Sequence, residues 1–216
     1  MHNSVQNLIN IKNKIKETSQ SYNAIKIIAV SKTFPLEKII PLIDYGHLDY
    51  GENKVQEAVE KWSEIKTKKN EIKLHLIGKL QTNKVKFAVK LFDYIHSLDS
   101  IKLAKKIADE QLKQSKKIKI FIQVNLADEK QKSGIQLEKL NELYQYALNL
   151  NLNIIGLMCI PPESEDPGIY FKKLKLLNDQ LGLKELSMGM SADFIIAIEN
   201  QATYVRVGSN IFGSRS

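Results

Sequence analysis

The chain has 216 residues, 43% hydrophobic and 26% charged, with a formal net charge of +8. That balance describes an ordinary globular protein, at a length that suits one domain (1–216) with a full core. No apolar run approaches the roughly 20 residues needed to cross a bilayer, and Met1-His2-Asn3-Ser4 lacks the basic-then-apolar pattern of a secretory signal.

The excess positive charge raises the question of nucleic acid, and the composition answers it. Of the 32 basic residues only Arg206 and Arg215 are arginine; the other 30 are lysine. Nucleic-acid readers favour the bidentate fork of arginine, and no aromatic residues interleave with basic ones. The charge is therefore read as solvated lysine faces, and no nucleic acid is expected as a partner.

Residues 5–18 carry the period of a leading helix. Beyond them, short β-like apolar runs alternate with amphipathic stretches to the end of the chain. The runs lie at 25–30, 48–50, 73–77, 94–97, 118–124, 154–160, 185–187 and 204–207. Helical patterns occupy 35–45, 55–66, 83–91, 101–114, 137–150, 170–181 and 192–200. Strict alternation implies right-handed βαβ units and a parallel sheet. Eight strands favour a closed (β/α)8 barrel over an open doubly wound sheet, and no Gly-rich dinucleotide fingerprint follows the first run.

In such barrels chemistry gathers at the C-terminal ends of the strands, so those ends are read together. The first run ends in Ala29-Val30-Ser31-Lys32. A lysine at a barrel rim, with its stem against the core, is partly desolvated and suited to Schiff-base chemistry; on this segment alone a solvent-seeking lysine fits as well. His75 and His96 show no metal-ligand spacing with His2 or His47 and are read as hydrogen-bonded rim or core histidines. Cys159 lies in an apolar run and is read as a buried, inert thiol; as the lone cysteine it allows no intrachain disulfide, which fits a reducing cytoplasm. After the seventh run, Ser191 is placed to cap the helix beginning at Ala192, a natural anion site. On the eighth, alternation puts Arg206 on the opposite face from Val205 and Val207. A buried arginine needs a partner or a ligand, and Gly208-Ser209 beyond it occupy the usual barrel position for a phosphate.

These strand ends resemble the pyridoxal phosphate homeostasis protein family, also called the YggS or PROSC family, whose fold is similar to the N-terminal barrel of alanine racemase. The matching segments are AVSKTFP (29–35), GENKVQE (51–57), HLIGKLQTNK (75–84), HSLDS (96–100), IQVNLADEKQKSGI (122–135), GLMCIPP (156–162), LSMGMSAD (186–193) and VRVGSNIFGSR (205–215). The resemblance implies that Lys32 forms an internal aldimine with pyridoxal 5′-phosphate. It implies that Arg206 faces the pyridine nitrogen and that Ser191, Gly208 and Ser209 hold the phosphate. Asn53 and Met190 are implied as further pocket residues, and Glu129 and Lys132 as an auxiliary rim cluster.

An arginine at the pyridine nitrogen keeps it unprotonated and weakens the cofactor as an electron sink. Racemisation works with such an arginine when two acid/base groups flank the substrate carbon. In alanine racemase one of them is a tyrosine from a second domain, across a dimer. With the chain ending at Ser216, the expectation is a cytoplasmic, monomeric carrier that buffers pyridoxal phosphate and passes it to apo-enzymes. The alternative is a racemase or related enzyme with an unrecognised second base. Three positions depart from the family pattern: Lys54 stands for arginine, Val207 for isoleucine, and Gln201 for a glycine that ends a helix.

Overall fold

A parallel strand buries both faces, one under helices and one in the barrel interior, so it is built from near-continuous apolar residues. The computed structural model describes residues 1–127 and 133–213 and places such runs in eight strands. They are β1 (Lys26–Val30), β2 (Asp49–Glu52), β3 (Lys73–Leu76), β4 (Tyr94–Leu98), β5 (Lys119–Gln123), β6 (Asn153–Met158), β7 (Glu185–Ser187) and β8 (Tyr204–Val207). Each pairs in parallel with the next, and β8 returns to β1 with Ile28 opposite Arg206 and Ala29 opposite Val207. The sheet closes, which excludes the open doubly wound alternative.

Helix α1 (Asn3–Thr18) precedes the barrel. Helices α2 (Leu36–Asp44), α3 (Val55–Lys68), α4 (Val85–Leu91), α5 (Ile101–Lys113), α6 (Leu137–Asn149), α7 (Pro167–Gln180), α8 (Phe194–Glu199) and α9 (Ser209–Phe212) follow the eight strands in turn. The larger core lies between sheet and helices and is anchored by Trp62, Phe92 and Phe171. A smaller one fills the barrel interior with Ile28, Val30, Tyr94, Phe121, Met158 and Tyr204.

Several boundaries differ from the sequence reading for local reasons. Helix α7 begins at Pro167, not Tyr170, because the Asp166 side chain accepts the Gly168 N–H and Pro167 sits in the first turn, where no donor is needed. Residues Thr82–Lys84 form a 3-10 turn, so α4 starts at Val85. β6 stops at Met158, leaving Cys159 and Ile160 beyond it. The short helix α9 has too few residues to show a period and went unread.

Five helix ends share one pattern. At α8 the Gln201 N–H bonds to Ile198 O and the Ala202 N–H to Ala197 O, with Gln201 at φ 67°. This is the paired closure that favours glycine in the left-handed position. Gly46, Ser115, Asn151 and Gly182 end α2, α5, α6 and α7 in the same way. The position where the family pattern has glycine thus keeps its left-handed turn with a glutamine in it.

Candidate site at the C-terminal rim

Strand β1 delivers Lys32 to the rim. Ile28 and Val30 belong to the interior cluster, whereas Ser31 turns outward and donates its hydroxyl to Glu52 Oε1 at 2.8 Å. Lys32 follows, half-buried, two residues beyond the end of β1. The next residue, Thr33, has φ 65°, a conformation a β-branched side chain rarely adopts. Its N–H donates to Glu57 Oε1 at 2.6 Å, which pins the turn that follows the lysine. Burial pushes the Glu57 carboxyl up, but the Thr33 N–H and Lys61 outweigh it and hold it below the ordinary carboxylate value.

Behind this turn sits a charge cage absent from the sequence reading. Fully buried Glu52 accepts through one oxygen from Ser31, from Lys61 Nζ at 3.0 Å and from Trp62 Nε1 at 2.9 Å. Lys61 also donates to Ser31 O and to Glu57. The cage ties the end of β1 to the end of β2 and to α3. Asn53 follows Glu52, half-buried at the rim, and its carbonyl passes so close to Gly78 that a Cβ there would sit 2.4 Å away. Gly78 is what lets the β3–α4 connection approach the rim.

On the opposite side of β1, strand β8 presents Arg206, 4% exposed. Its Nη1 donates to Ser187 Oγ at 2.8 Å and its Nη2 to Cys159 O at 2.9 Å. Among the described residues no carboxylate lies within ion-pair distance of it. Burial lowers its affinity for the proton from the ordinary guanidinium value. Cys159 is buried, and burial pushes its thiol up to about 12, so it is inert at neutral pH as read.

Two loops meet beyond Arg206. The Ser191 hydroxyl accepts the Gly208 N–H at 3.2 Å, and Ser191 O accepts from Asn210 Nδ2 at 2.8 Å. Ser191, Gly208 and Ser209 are therefore brought together, as expected. The expected cap is corrected: α8 starts at Phe194 with Asp193 at its N-cap position, and Ser191 spends its hydroxyl on the neighbouring loop. Asp193 turns back to accept the Met190 N–H at 2.5 Å, leaving the Met190 side chain half-exposed at the rim. Gly189, at φ 88°, gives its carbonyl to the Arg206 N–H; a Cβ there would meet Ala197 at 2.5 Å. At the first turn of α9, a helix leaves its leading N–H groups without internal acceptors, and here they belong to exposed Ser209 and Asn210. Glu129 and Lys132 lie outside the described residues.

The arrangement is an amine just beyond β1 and a buried guanidinium on its partner strand β8, with two tied loops carrying hydroxyl and N–H donors beside them. Residues 6–216 match the family described as "Alanine racemase, N-terminal domain". The chain is 40% identical over 215 residues to the pyridoxal phosphate homeostasis protein of Aquifex aeolicus, covering 95% of this chain and 93% of that one. It is 36% identical to the Escherichia coli K12 protein of the same name, covering 100% and 98%. The chain belongs to the pyridoxal phosphate homeostasis protein family.

A solved structure, PipY, described as the COG0325 family member of Synechococcus elongatus with PLP bound, superposes with a TM-score of 0.88 at 32% identity, covering 97% of this chain and all of that one. Alanine racemase of Clostridium difficile shares the fold at a TM-score of 0.73 and 17% identity; this chain spans 57% of its length. Within the homeostasis family fold, the buried Ser187 and the histidines of β3 and β4 were not read as part of the site. Their signal was polarity at inward positions of otherwise apolar strands. Alternation shows the side but not what lies across the barrel.

Proposed function

We propose that this protein is a single-domain, cytoplasmic carrier of pyridoxal 5′-phosphate, held covalently through Lys32 and released to apo-enzymes. The observation that carries the reading is the buried Arg206 guanidinium, without a carboxylate partner among the described residues, on the strand hydrogen-bonded to β1, which Lys32 follows by two residues. Such a donor suits the lone pair of a pyridine nitrogen, which is a neutral acceptor. The PLP-bound relative and the family name agree with it.

The residues present fit that cofactor. The chemistry the cofactor would supply is that of an aldehyde, able to condense with a lysine amine with release of water. Lys32 provides the amine on a turn pinned by Glu57. Arg206 would donate to the ring nitrogen and, as a donor, would leave it unprotonated. Ser191, Gly208 and Ser209 offer hydroxyl and N–H donors to the phosphate, with Asn53 and Met190 along the rim. The charge on Arg206 is what separates a holder from a strong electron sink. The protein is expected to act as a monomer.

The test is the visible spectrum of purified protein loaded with pyridoxal phosphate, before and after borohydride, with mapping of the labelled peptide. The expected result is reduction of the cofactor onto Lys32, and loss of the covalent adduct in Lys32→Ala. An unlabelled Lys32 overturns the reading. Deuterium exchange at the α-carbon of a panel of amino acids at enzymatic rates would replace the carrier with an enzyme.

A further inference from the structure

Five side chains form one hydrogen-bonded file through the barrel. Asp49 of β2 meets His75 of β3, Oδ1 to Nε2, at 2.9 Å. His75 Nδ1 meets His96 Nε2, on β4, at 2.9 Å. His96 Nδ1 then reaches across the interior to Ser187 Oγ of β7 at 2.8 Å. Ser187 Oγ in turn accepts from Arg206 Nη1 of β8 at 2.8 Å. His75, His96 and Ser187 are fully buried.

With both rings neutral, the two ends fix the direction of every bond. A carboxylate only accepts and a guanidinium only donates. His75 therefore carries its proton on Nε2 and accepts at Nδ1. His96 must then donate from Nε2 and accept at Nδ1 from the Ser187 hydroxyl, whose oxygen is free to accept from Arg206. Both rings are neutral Nε2–H tautomers in this file. With neutral rings, any other assignment sets two donors or two lone pairs face to face in a fully buried place, which is costly.

The surroundings support neutral rings. His75 stacks on Tyr94 with centroids 4.2 Å apart, His96 stacks on Phe121 at 4.3 Å, and Tyr204 packs edge-on to His96. Burial lowers both histidines below their ordinary value. The neighbouring charge of Arg206 adds to this for His96, while Asp49 works against it for His75. Burial pushes Asp49 up, but the hydrogen bond and charge of His75 and the nearby Lys26 hold it lower. Asp49 also lines a cavity of about 460 Å³ at the opposite mouth of the barrel from the rim, beside Lys12, Lys16 and Lys26. The file thus spans the barrel from one mouth to the other.

We propose that Asp49, His75, His96 and Ser187 are positioning residues that act through Arg206, supplying its counter-charge at a distance and aiming it at the ring nitrogen of pyridoxal phosphate. A direct carboxylate partner would neutralise Arg206 and take up its donors. A relay through two neutral imidazoles leaves the charge in place and still fixes the orientation. This rests on the cofactor reading above.

The test uses three variants of the full chain, titrated with pyridoxal phosphate and followed by absorbance and by borohydride labelling of Lys32. Ser187→Ala cuts the file next to Arg206. It is expected to weaken binding about tenfold, the scale of one hydrogen bond to a charged group, and to move the absorption band while Lys32 still labels. Asp49→Asn keeps the acceptor but removes the charge, with an expected loss of about threefold. His75→Gln can accept from His96 and donate to Asp49, and is expected to bind within about twofold of the parent. Nitrogen-15 spectra of the unsubstituted protein should show both rings as Nε2–H tautomers between pH 6 and 8. If Ser187→Ala and Asp49→Asn bind as the parent does, with the band unmoved and Lys32 labelled normally, the relay is wrong and the cofactor reading stands. A protein that labels no lysine overturns both.

Discussion

Glu52 shows how much of the rim depends on single buried groups. One of its oxygens accepts from Ser31, Lys61 and Trp62, while the other is buried without a partner among the described residues. Removing the carboxylate strands three donors in the core, and breaking a buried charge pair typically costs about 3–5 kcal/mol. Glu52→Ala is expected to lose about that much, seen as a lower urea midpoint with little change in slope. In sequence, Glu52 was legible only as part of a strand-end motif. Its role as an acceptor depends on α3 folding back to place Lys61 and Trp62 beside it.

At the scale of elements, the α8–β8 connection carries a measurable strain. Gln201 holds the left-handed C-terminal position of α8 at φ 67°, where a residue with a Cβ pays about 1–2 kcal/mol. Glycine has no such cost, although its freer unfolded chain gives some of the gain back. Gln201→Gly is therefore expected to raise stability by about 1 kcal/mol, read as a higher thermal midpoint. Because this turn leads into β8, the substitution leaves Arg206 and its contacts in place. The boundaries that shifted, at α7 and α8, were set by which side chain captured a free N–H. Asp166 captured one for α7, while Ser191 was drawn away to Gly208. Competing acceptors from another loop are invisible to a local reading.

For the molecule as a whole, the buried histidines set the acid limb of stability. His47 is lowered from 6.5 to about 4, mainly by burial, and His75 and His96 are lowered too. In the folded chain these rings stay neutral, while in the unfolded chain they bind protons below about pH 6.5. Their contribution is complete above that pH and is lost as pH falls toward 4. For His47 alone the gap is worth about 3 kcal/mol. Urea midpoints measured at pH 7, 5.5 and 4.5 should fall steeply, and His47→Gln should flatten part of that slope.

The sequence by itself determined the alternation of eight strands and helices, the closed barrel as the favoured architecture, and the rim as the place to look. Period and strand parity are local properties, and they already set Arg206 on the face opposite Val205 and Val207 and Lys32 at the end of the first strand. Only the tertiary structure decided what those residues meet. The Ser191–Gly208 tie and the Glu52 cage join loops and helices of neighbouring strands, and the file from Asp49 to Arg206 joins strands far apart in the chain, across the interior of the closed barrel. Hydrogen bonds act over about 3 Å, and no pattern along a chain reports a distance that only closure of the barrel creates.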